Sequence, residues 1–546
     1  MVLNVGSGCS LKGRPPRGEA AAAQPMRDAD VLRARLEDAA HFPGGHLAAL
    51  FAPASEAQVA EILRTSRAVL PIGAQSSLTG GATPMGEVLL TTDRLNRITH
   101  VGPDRVRAQA GVPLAALDDA LKAVGRSYPP TPTFMGAFVG GVVSTNAAGA
   151  ATFKHGSTRQ WVEALTVVLA TGEVLDVERG VTRAHRDGYF DLLLTRGVVR
   201  VPVPSYRMPV VAKLSAGYFA EPGMDLIDLF IGSEGTLGVV TEVTFRVRPI
   251  RPPTCHVLVT FDSRARALAF VGRLREAAMR TWQTGDPCGI DVAAVEHMDA
   301  RCLALLREDG IDRRHQVDLP TDAAIALLLT LELPAGTSAE QAFEEIGRAS
   351  DTDAADAPLT RLTVLLAEHG VLDRATIAVP GDLRRAADLL SVREAVPAAV
   401  NLRVGLAQRQ VDARIEKIAA DTIVPFDRLE SLMDFYEAEL GRRKLDAAIW
   451  GHLSDGNLHP NVIPRSFADV EAGREAMLAL GREAIRLGGA PLAEHGVGRN
   501  QTKQRLLAEL YGPDGIEEMR RVKAALDPEW KLAPGVIFPR GQTGVR

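Results

Sequence analysis

The sequence predicts an α+β protein built from two units, and three observations support this prediction. The chain has 546 residues, which is too long for one compact core. In its first half, short apolar segments with strand character alternate with helical segments, as in mixed folds. A proline-rich stretch at 248–253, Arg-Pro-Ile-Arg-Pro-Pro, then indicates a domain boundary, and a second α+β pattern follows it.

The first half supplies most of the strands. A helix is predicted over 52–65, because Ser55 precedes Gln58 by three residues as in a capping box. Thr171-Gly172 lies between two apolar segments and predicts a hairpin. Further elements are predicted as strands at 68–72, 86–91, 98–101 and 106–110 and a helix over 113–124.

Beyond the proline-rich stretch, two strands and two helices are predicted from apolar patterning. The segment 411–440 carries both helical and strand character, and 355–367 has no clear pattern. The predicted elements are strands at 257–261 and 324–333 and helices at 265–279 and 338–349.

Composition excludes several classes of protein. The net charge is −5, with 62 basic against 67 acidic residues and no basic stripe, so nucleic acid is not an expected partner. No apolar run approaches the roughly 18–20 residues of a membrane helix. The four cysteines are widely spaced and form no CxxC motif, which fits a reducing compartment. We expect a cytoplasmic protein, with peripheral association at the inner membrane as the variant.

The N-terminal residues 1–40 are expected to be a disordered or weakly ordered tail. The segment 1–25 mixes Gly, Pro, Arg and Ala and lacks the apolar core of a secretory signal. Translation from Met26 is an open alternative.

A late segment, 451–461 (GHLSDGNLHPN), concentrates histidines in a chain that has only 12 of them. Its Asp455-Gly456 pair is a strong two-residue hairpin signal. That register places His452 opposite His459, with Cβ atoms about 4.5–5.5 Å apart, close enough to share one metal ion. Asn461 falls on the same face of the strand. Two ordinary histidines beside a turn are the alternative.

Three glycine-rich segments, at 71–81, 136–149 and 229–242, each adjoin apolar sequence with strand character. Small residues there allow successive backbone N–H groups to point toward a pyrophosphate. Neither GxGxxG nor a Walker motif is present, and plain surface loops are the alternative. Together the three segments indicate one large ligand, and a dinucleotide fits better than a sugar.

Six ordered motifs resemble one family. They are SSLTGG (76–81), GG-x4-NAAG-x5-HG (140–156), GSEGTLGVVTE (232–242), GHLSDGNLHPN (451–461), EHGVG (494–498) and the late LDP…PG (526–535). On these the chain resembles the FAD-linked D-2-hydroxyacid dehydrogenases of the vanillyl-alcohol-oxidase/PCMH flavoprotein superfamily. That group includes D-lactate dehydrogenase, the glycolate oxidase FAD subunit and D-2-hydroxyglutarate dehydrogenase. The resemblance runs from about residue 51 to 538.

The resemblance implies a two-part PCMH-type FAD-binding domain at 41–250. It further implies a cap domain at 251–500, in which an antiparallel sheet is flanked by helices and which carries the metal and catalytic residues. A C-terminal segment, 501–546, is expected to return to the FAD domain.

The cofactor implied is noncovalent FAD, because the first loop has no histidine for a covalent link. His155 stands where the family often has tyrosine, and the family's late Asn-Pro-Gly reads Ala533-Pro534-Gly535 here. The residues expected to contact FAD are Gly73, Ala74, Gln75, Ser76, Ser77, Leu78, Pro132, Gly140, Gly141, Thr145, Gly149, Glu234 and Val240.

A metal site is also implied by the resemblance. His452, His459 and Glu494 would bind a divalent metal, with zinc expected and manganese or iron as alternatives, and would leave open positions for substrate. His495 would act as general base. Glu494 and His495 are neighbours, so both can serve only if the backbone turns there, which a following Gly496 makes feasible.

The same resemblance supplies a substrate site and partners. Arg393 is expected to bind the substrate carboxylate, with Lys417 and Asn461 as further contacts. The implied reaction oxidises a D-2-hydroxy acid to the 2-oxo acid by hydride transfer to flavin. Electrons would pass to a quinone, a cytochrome or an electron-transfer flavoprotein, and a homodimer is expected.

Three other functions stay open at this point. One is a flavoenzyme like alkylglycerone-phosphate synthase, whose overall reaction is not a redox reaction. Another is a noncatalytic FAD subunit of a glycolate oxidase-type complex. The third is a zinc hydrolase that uses the same histidines and carboxylate without flavin.

Overall fold

The computed structural model describes residues 10–18, 23–130, 134–351, 353 and 355–541, and the chain divides into two compact units. The first unit comprises the described residues within 1–149, 156–250 and 490–546, and the second comprises those within 150–155 and 251–489. The chain re-enters the first unit at Ala490, whereas the expected span of the cap domain is 251–500. Glu494 and His495 therefore belong to the first unit.

The elements are numbered in chain order. The strands are β1 (Leu11–Lys12), β2 (Ala49–Phe51), β3 (Val69–Ile72), β4 (Val88–Thr91), β5 (Ile98–Val101), β6 (Arg105–Gln109), β7 (Arg126–Ser127), β8 (Val162–Val168), β9 (Val174–Glu178), β10 (Tyr189–Leu194), β11 (Gly197–Pro202), β12 (Val239–Arg246), β13 (Arg248–Pro249), β14 (Thr254–Phe261), β15 (Val292–Asp299), β16 (Ile325–Glu332), β17 (Ala375–Ala378), β18 (Ile418–Ala419), β19 (Thr422–Ile423), β20 (Ala447–His452) and β21 (Asn457–Val462).

The α-helices are α1 (Ala29–Arg33), α2 (Glu56–Thr65), α3 (Leu114–Lys122), α4 (Val139–Ser144), α5 (Thr152–His155), α6 (Ile227–Phe230), α7 (Arg264–Thr284), α8 (Ala300–Glu308), α9 (Ile311–His315), α10 (Ala339–Gly347), α11 (Pro358–Glu368), α12 (Leu383–Gln410), α13 (Leu429–Arg442), α14 (Phe467–Arg486) and α15 (Gln501–Leu526). No helix in the described ranges is both long enough and apolar enough to cross a membrane.

The first unit has two α+β parts. In one, β2 and β3 both pair in parallel with β4, and α2 connects them in sequence. In the other, an antiparallel sheet has the strand order β5-β6-β12-β8-β9. Ser55 caps α2 by accepting from the backbone N–H of Gln58, so the helix begins at Glu56 rather than at residue 52. The predicted α+β class is confirmed.

The expected N-terminal tail is partly structured. Leu11–Lys12 pair in parallel with β10, and Ala29–Arg33 form a short helix capped by Asp28. This strand and this helix are the regular elements among the described residues before position 41, and the composition of the tail did not predict them. Cys9 lies outside the described residues.

The second unit is built on one antiparallel sheet. Its strand order is β17-β14-β16-β15-β20-β21-β18, and β19 also pairs with β21. β15 and β16 are buried almost throughout, which fits their central place in the sheet. The expected cap domain with an antiparallel sheet flanked by helices is therefore confirmed. Residues 358–368, for which the sequence showed no clear pattern, form α11, and this helix begins at Pro358.

The histidine hairpin has a different register from the predicted one. His452 pairs with Asn457, and His459 pairs with Trp450, so the loop has four residues, 453–456, instead of two. A short 3₁₀ turn at Leu453–Asp455 fills that loop, and Gly456 closes it with a φ of 83°. The displacement is an even number of residues, so His452 and His459 still point to the same face of the sheet, as diagonal neighbours.

Candidate active site

The three glycine-rich loops meet within the first unit. The Cβ that a side chain at Gly73 would carry lies 3.3 Å from Cβ of Phe138, which joins the first loop to the second. In the third loop, the backbone N–H of Glu234 donates to the carbonyl of Ser144 at 2.7 Å, and that of Gly232 donates to Val143 at 3.0 Å. The structure thus brings together the segments expected to bind one large ligand.

The first loop, 73–78, is shaped by Gln75. This residue has a φ of 54°, in the left-handed region. Its side-chain Nε2 donates to the carbonyls of Arg35 and Ala82 at 3.1 and 2.9 Å. The amide side chain of Gln75 therefore holds the loop, and the loop can offer a ligand its backbone N–H groups. The other expected contacts in this loop are Gly73, Ala74, Ser76, Ser77 and Leu78.

The second loop contains two adjacent glycines with different surroundings. A Cβ on Gly140 would lie 2.6 Å from Cβ of Ala110, whereas no heavy atom lies within 4 Å of the Cβ position of Gly141. Thr145 donates its hydroxyl hydrogen to the carbonyl of Gly141 at 3.0 Å. Gly140 is thus needed for packing, and Gly141 presents open backbone. Bare backbone of this kind fits a dinucleotide that approaches closely.

Three further expected FAD contacts lie elsewhere. Gly149 is buried at the end of the second loop. Val240 lies on β12, where it pairs with Val167 and is 6% exposed. Pro132 lies outside the described residues.

Glu234, in the third loop, binds another part of the chain. Its two carboxylate oxygens accept the backbone N–H groups of Val497 and Gly498, each at 2.8 Å. Burial raises the pKa of Glu234 to about 7, although these two hydrogen bonds and the charge of Lys503 act to lower it. The sequence motif predicted a cofactor contact at Glu234 and gave no sign of this link to residues 497–498.

The turn after Glu494-His495 has the conformation that the sequence required. Gly496 and Gly498 have φ values of 72° and 57°, both in the left-handed region that favours glycine. Glu494 forms a buried ion pair with Lys213, at 2.5 Å between Oε1 and Nζ. Lys213 is 281 positions away in sequence, so no local pattern could have indicated it.

In the second unit, His452 and His459 are both buried and lie close together. Their ring centroids are 5.4 Å apart, and the ring planes are nearly perpendicular, at 85°. The backbone of β20 and β21 fixes both rings on one face of the sheet. The pair of histidines predicted from the hairpin is therefore present, although its register differs.

Each histidine has a carboxylate beside its Nδ1. Oε1 of Glu296 lies 2.5 Å from Nδ1 of His452, and Oδ1 of Asp421 lies 3.4 Å from Nδ1 of His459. Metal-binding histidines commonly have such partners, which orient the ring and leave Nε2 for the metal. The donor set thus fits a metal ion. Neither Glu296 nor Asp421 was predicted from the sequence, because both belong to other segments of the sheet.

The predicted substrate contacts also lie in the second unit. Nε of Arg393 donates to Oε2 of Glu296 at 2.7 Å. Burial raises the pKa of Glu296, but the charges of His452 and Arg393 outweigh it and lower this pKa to about 2. Asn461 donates from Nδ2 to the carbonyl of His459 at 2.9 Å. Lys417 is exposed, with its ammonium 6.0 Å from the ring centroid of Trp450.

The side chain of His155 contacts a carboxylate within the second unit. Its Nε2 lies 2.9 Å from Oε1 of Glu332, and Lys154 forms ion pairs with Glu332 and with Asp291. The imidazole that stands where the family often has tyrosine is thus engaged with a carboxylate.

Comparison with known protein families defines the class of this protein. Residues 47–178 match the model of an FAD binding domain, and residues 257–537 match the C-terminal domain of FAD linked oxidases. The second match alone covers more than half of the 546 residues. The chain belongs to the family of FAD-linked oxidases.

Similar curated proteins narrow this class. The chain is 30% identical to mitochondrial D-2-hydroxyglutarate dehydrogenase of Bos taurus over 501 residues, covering 90% of this chain and 76% of the relative. It is 27% identical to D-lactate dehydrogenase of Anaerostipes hadrus over 476 residues, covering 86% and 84%. It is also 27% identical to the glycolate oxidase subunit GlcD of Bacillus subtilis, covering 90% and 89%. The protein is thus an FAD-linked oxidoreductase of the D-lactate dehydrogenase, D-2-hydroxyglutarate dehydrogenase and glycolate oxidase type.

Solved structures agree with this fold. The chain resembles a 4-ethylphenol oxidase from Gulosibacter chungangensis with a TM-score of 0.61 and 16% identity, covering 94% of each chain. An alkyldihydroxyacetonephosphate synthase gives a TM-score of 0.58 at 13% identity, covering 96% of this chain and 88% of the other. At these identities the likeness concerns the fold alone.

Proposed function

We propose that the protein oxidises a D-2-hydroxy acid to the corresponding 2-oxo acid, with noncovalent FAD as hydride acceptor and a divalent metal bound by His452, His459 and Glu494. The observation that carries the proposal is the buried histidine pair, in which each Nδ1 has a carboxylate beside it. A carboxylate beside Nδ1 is the arrangement that metal-binding histidines commonly have. Zinc is the expected metal, with manganese or iron as alternatives.

In the proposed metal site, some carboxylates lie beside the imidazoles and another binds the ion together with them. Glu296 orients the imidazole of His452 through a hydrogen bond at Nδ1, and Asp421 lies 3.4 Å from Nδ1 of His459, so that Nε2 of each ring would be left to bind the ion. A divalent ion held by two histidines and one carboxylate keeps open positions and, as a Lewis acid, makes a hydroxyl more acidic. Glu494 would supply the carboxylate, and Lys213 would then share that carboxylate with the metal.

His495 is the proposed general base. A neutral imidazole can accept the hydroxyl proton of the substrate. Glu494 and His495 lie immediately before the left-handed turn at Gly496. FAD, when bound, accepts the hydride from the α-carbon.

The substrate carboxylate is proposed to bind Arg393. Its Nε donates to Glu296, and this bond holds the planar guanidinium in one orientation. The guanidinium fork matches a carboxylate bidentately, so its terminal nitrogens can anchor the substrate. Asn461 and Lys417 are the further proposed contacts, and a quinone, a cytochrome or an electron-transfer flavoprotein is the proposed electron acceptor.

The proposal is tested by anaerobic bleaching of the flavin. The purified protein, loaded with FAD, is mixed with D-lactate, D-2-hydroxyglutarate, glycolate and the L-enantiomers of the two chiral acids, with and without a chelator. At least one D-2-hydroxy acid is expected to bleach the flavin band, and the chelator is expected to slow the bleaching. If none of a wider panel of 2-hydroxy acids reduces a fully loaded protein, the proposed reaction is wrong.

Two variants separate the base from a general loss of structure. His495→Ala is expected to retain FAD and to lose bleaching by about 100- to 10,000-fold, the usual contribution of a general base. His100→Ala removes an exposed histidine of the same unit and serves as control. A His495→Ala protein that reduces at the wild-type rate would remove His495 from its proposed role.

A further inference from the structure

The turn that carries Glu494 and His495 is held by a buried carboxylate from a distant loop. Both oxygens of Glu234 accept backbone N–H groups, from Val497 and Gly498, each at 2.8 Å. Two hydrogen bonds from adjacent N–H groups to the two oxygens of one side chain fix the local direction of the chain. Glu234 is thus hydrogen-bonded to the backbone at the second and third residues after His495.

The backbone is restricted on both sides of this contact, at Gly496 and at Glu234. A Cβ on Gly496 would lie 2.9 Å from Cδ of Glu234, so the carboxylate approaches the turn as closely as bare glycine permits. Glu234 itself has a φ of 52°, which is unfavourable for a glutamate and is maintained by its N–H bond to Ser144. A strained residue that is held in place indicates a functional constraint at Glu234.

Other groups brace the same turn. Nζ of Lys503, which is buried, donates to the carbonyl of Gly496 at 3.3 Å. The N–H of Arg499 donates to the carbonyl of Thr79 at 3.0 Å, and the carbonyl of Gly498 accepts from Ile537 at 2.9 Å. The turn is therefore bonded to several segments of the first unit, and the two carboxylate oxygens of Glu234 add two acceptors to these bonds.

We propose that Glu234 is a positioning residue for the reaction: it fixes the backbone turn from which Glu494 and His495 project, and it is not a direct contact of the flavin. The inference rests on the proposed function, because it assigns Glu234 a task only if Glu494 and His495 act in the chemistry. Its structural half, the restraint of residues 496–498 by the carboxylate, holds independently of the reaction.

The test compares Glu234→Gln with Glu518→Gln. Glutamine at 234 keeps the size of the side chain but turns one acceptor into an N–H donor that faces a backbone N–H. Glu518 also accepts a backbone N–H, from Ser205 of the same unit, but on the exposed surface, so it is the matched control. Three quantities are measured for each variant: FAD content, the limiting rate of flavin reduction, and hydrogen–deuterium exchange of the peptide that spans 493–500.

We expect Glu234→Gln to bind FAD with an unchanged absorption spectrum. We expect its limiting reduction rate to fall about 10- to 100-fold, because a small misplacement of reacting groups costs this much. Exchange of the N–H groups of Val497 and Gly498 should rise, while Glu518→Gln should match the wild type in all three measurements. Glu234→Asp, which keeps the charge with a shorter reach, should recover part of the rate.

Three results would overturn the proposal. Loss of FAD from a folded Glu234→Gln protein would make Glu234 a flavin contact, and unchanged exchange at 497–498 would show that the carboxylate does not restrain the turn. If wild-type flavin is not reduced by any 2-hydroxy acid, the proposed function fails, yet the exchange measurement still decides whether Glu234 holds the turn. A wild-type reduction rate in Glu234→Gln with raised exchange would leave the restraint without a catalytic role and so reject the positioning role.

Discussion

In the second unit, Glu296 joins a proposed metal ligand to a proposed substrate anchor. Its Oε1 lies 2.5 Å from Nδ1 of His452, and its Oε2 accepts from Nε of Arg393 at 2.7 Å. One buried carboxylate therefore orients both side chains. The charges of His452 and Arg393 outweigh the effect of burial and lower the pKa of this carboxylate.

We expect Glu296→Gln to weaken metal binding by about 10- to 100-fold, the usual effect of removing the carboxylate behind a metal-binding histidine. The measurement is competition between the protein and a chelator of known affinity. FAD content should not change. Glu439→Gln is the control, since Glu439 pairs with Arg442 and Arg443 in the same unit. Equal metal affinity in Glu296→Gln and wild type would contradict the assignment of His452 as a ligand oriented by Glu296.

Gly496→Ala should abolish most flavin reduction. The new Cβ would lie 2.9 Å from Cδ of Glu234, and alanine would also have to adopt a φ of 72°. Gly488→Ala is the matched control, because Gly488 has a φ of 81° but no heavy atom within 4 Å of its Cβ position. That control carries the backbone strain, about 1 kcal/mol, without the clash. Stopped-flow reduction of both variants would decide, and equal rates would show that the contact with Glu234 has no consequence.

The adjacent glycines of the second loop should respond differently to alanine. Gly140→Ala would place Cβ 2.6 Å from Cβ of Ala110 and 3.1 Å from its carbonyl oxygen, so we expect a loss of about 1–3 kcal/mol in the free energy of unfolding. Gly141→Ala has open space, so its stability should be close to that of the wild type. Its affinity for FAD should fall, because the methyl group would occupy the face offered to the cofactor. Thermal melting and FAD titration measure the two effects, and tight FAD binding by Gly141→Ala would move the cofactor away from this glycine.

Because of Glu332, the free energy of unfolding of the second unit is expected to vary with pH in the acid range. Burial raises its pKa, but the hydrogen bond with His155 and the charge of Lys154 outweigh burial and lower it to about 2. A carboxylate with a lowered folded-state pKa stabilises the fold above its unfolded pKa of about 4.5, and this stabilisation is lost as pH falls toward 2.

Glu332→Gln should therefore lower the free energy of unfolding by about 2 kcal/mol at pH 7. The difference from wild type should shrink between about pH 4.5 and pH 2, where the wild-type carboxylate also becomes neutral. Urea unfolding at a series of pH values measures this difference. Glu344→Gln, which removes an exposed partner of Arg348, is the control, and a difference that does not vary with pH would contradict the ion-pair explanation.

The histidine hairpin shows which features a local sequence pattern predicts and which it does not. Asp455-Gly456 and the flanking apolar residues correctly predicted two antiparallel strands and correctly placed His452 and His459 on one face. The residues of the loop did not determine its length, because the 3₁₀ turn at 453–455 depends on contacts with other segments, such as the bond from the N–H of Val295 to Oγ of Ser454. Both histidines were still assigned to the same face, because side chains along a strand alternate between faces with a period of two.

The sequence by itself determined the α+β class, the three glycine-rich loops, the histidine pair and the membership in a flavoprotein family. These depend on residue type, local spacing and short motifs, all of which are properties of continuous segments. Only the tertiary structure decided which carboxylates stand behind the histidines, that Lys213 pairs with Glu494, and that Glu234 holds the turn after His495. The side-chain contacts made by Glu296, Glu234 and Lys213 join residues separated by 97 to 281 positions in the chain, and no local pattern encodes a partner that only folding brings within hydrogen-bonding distance.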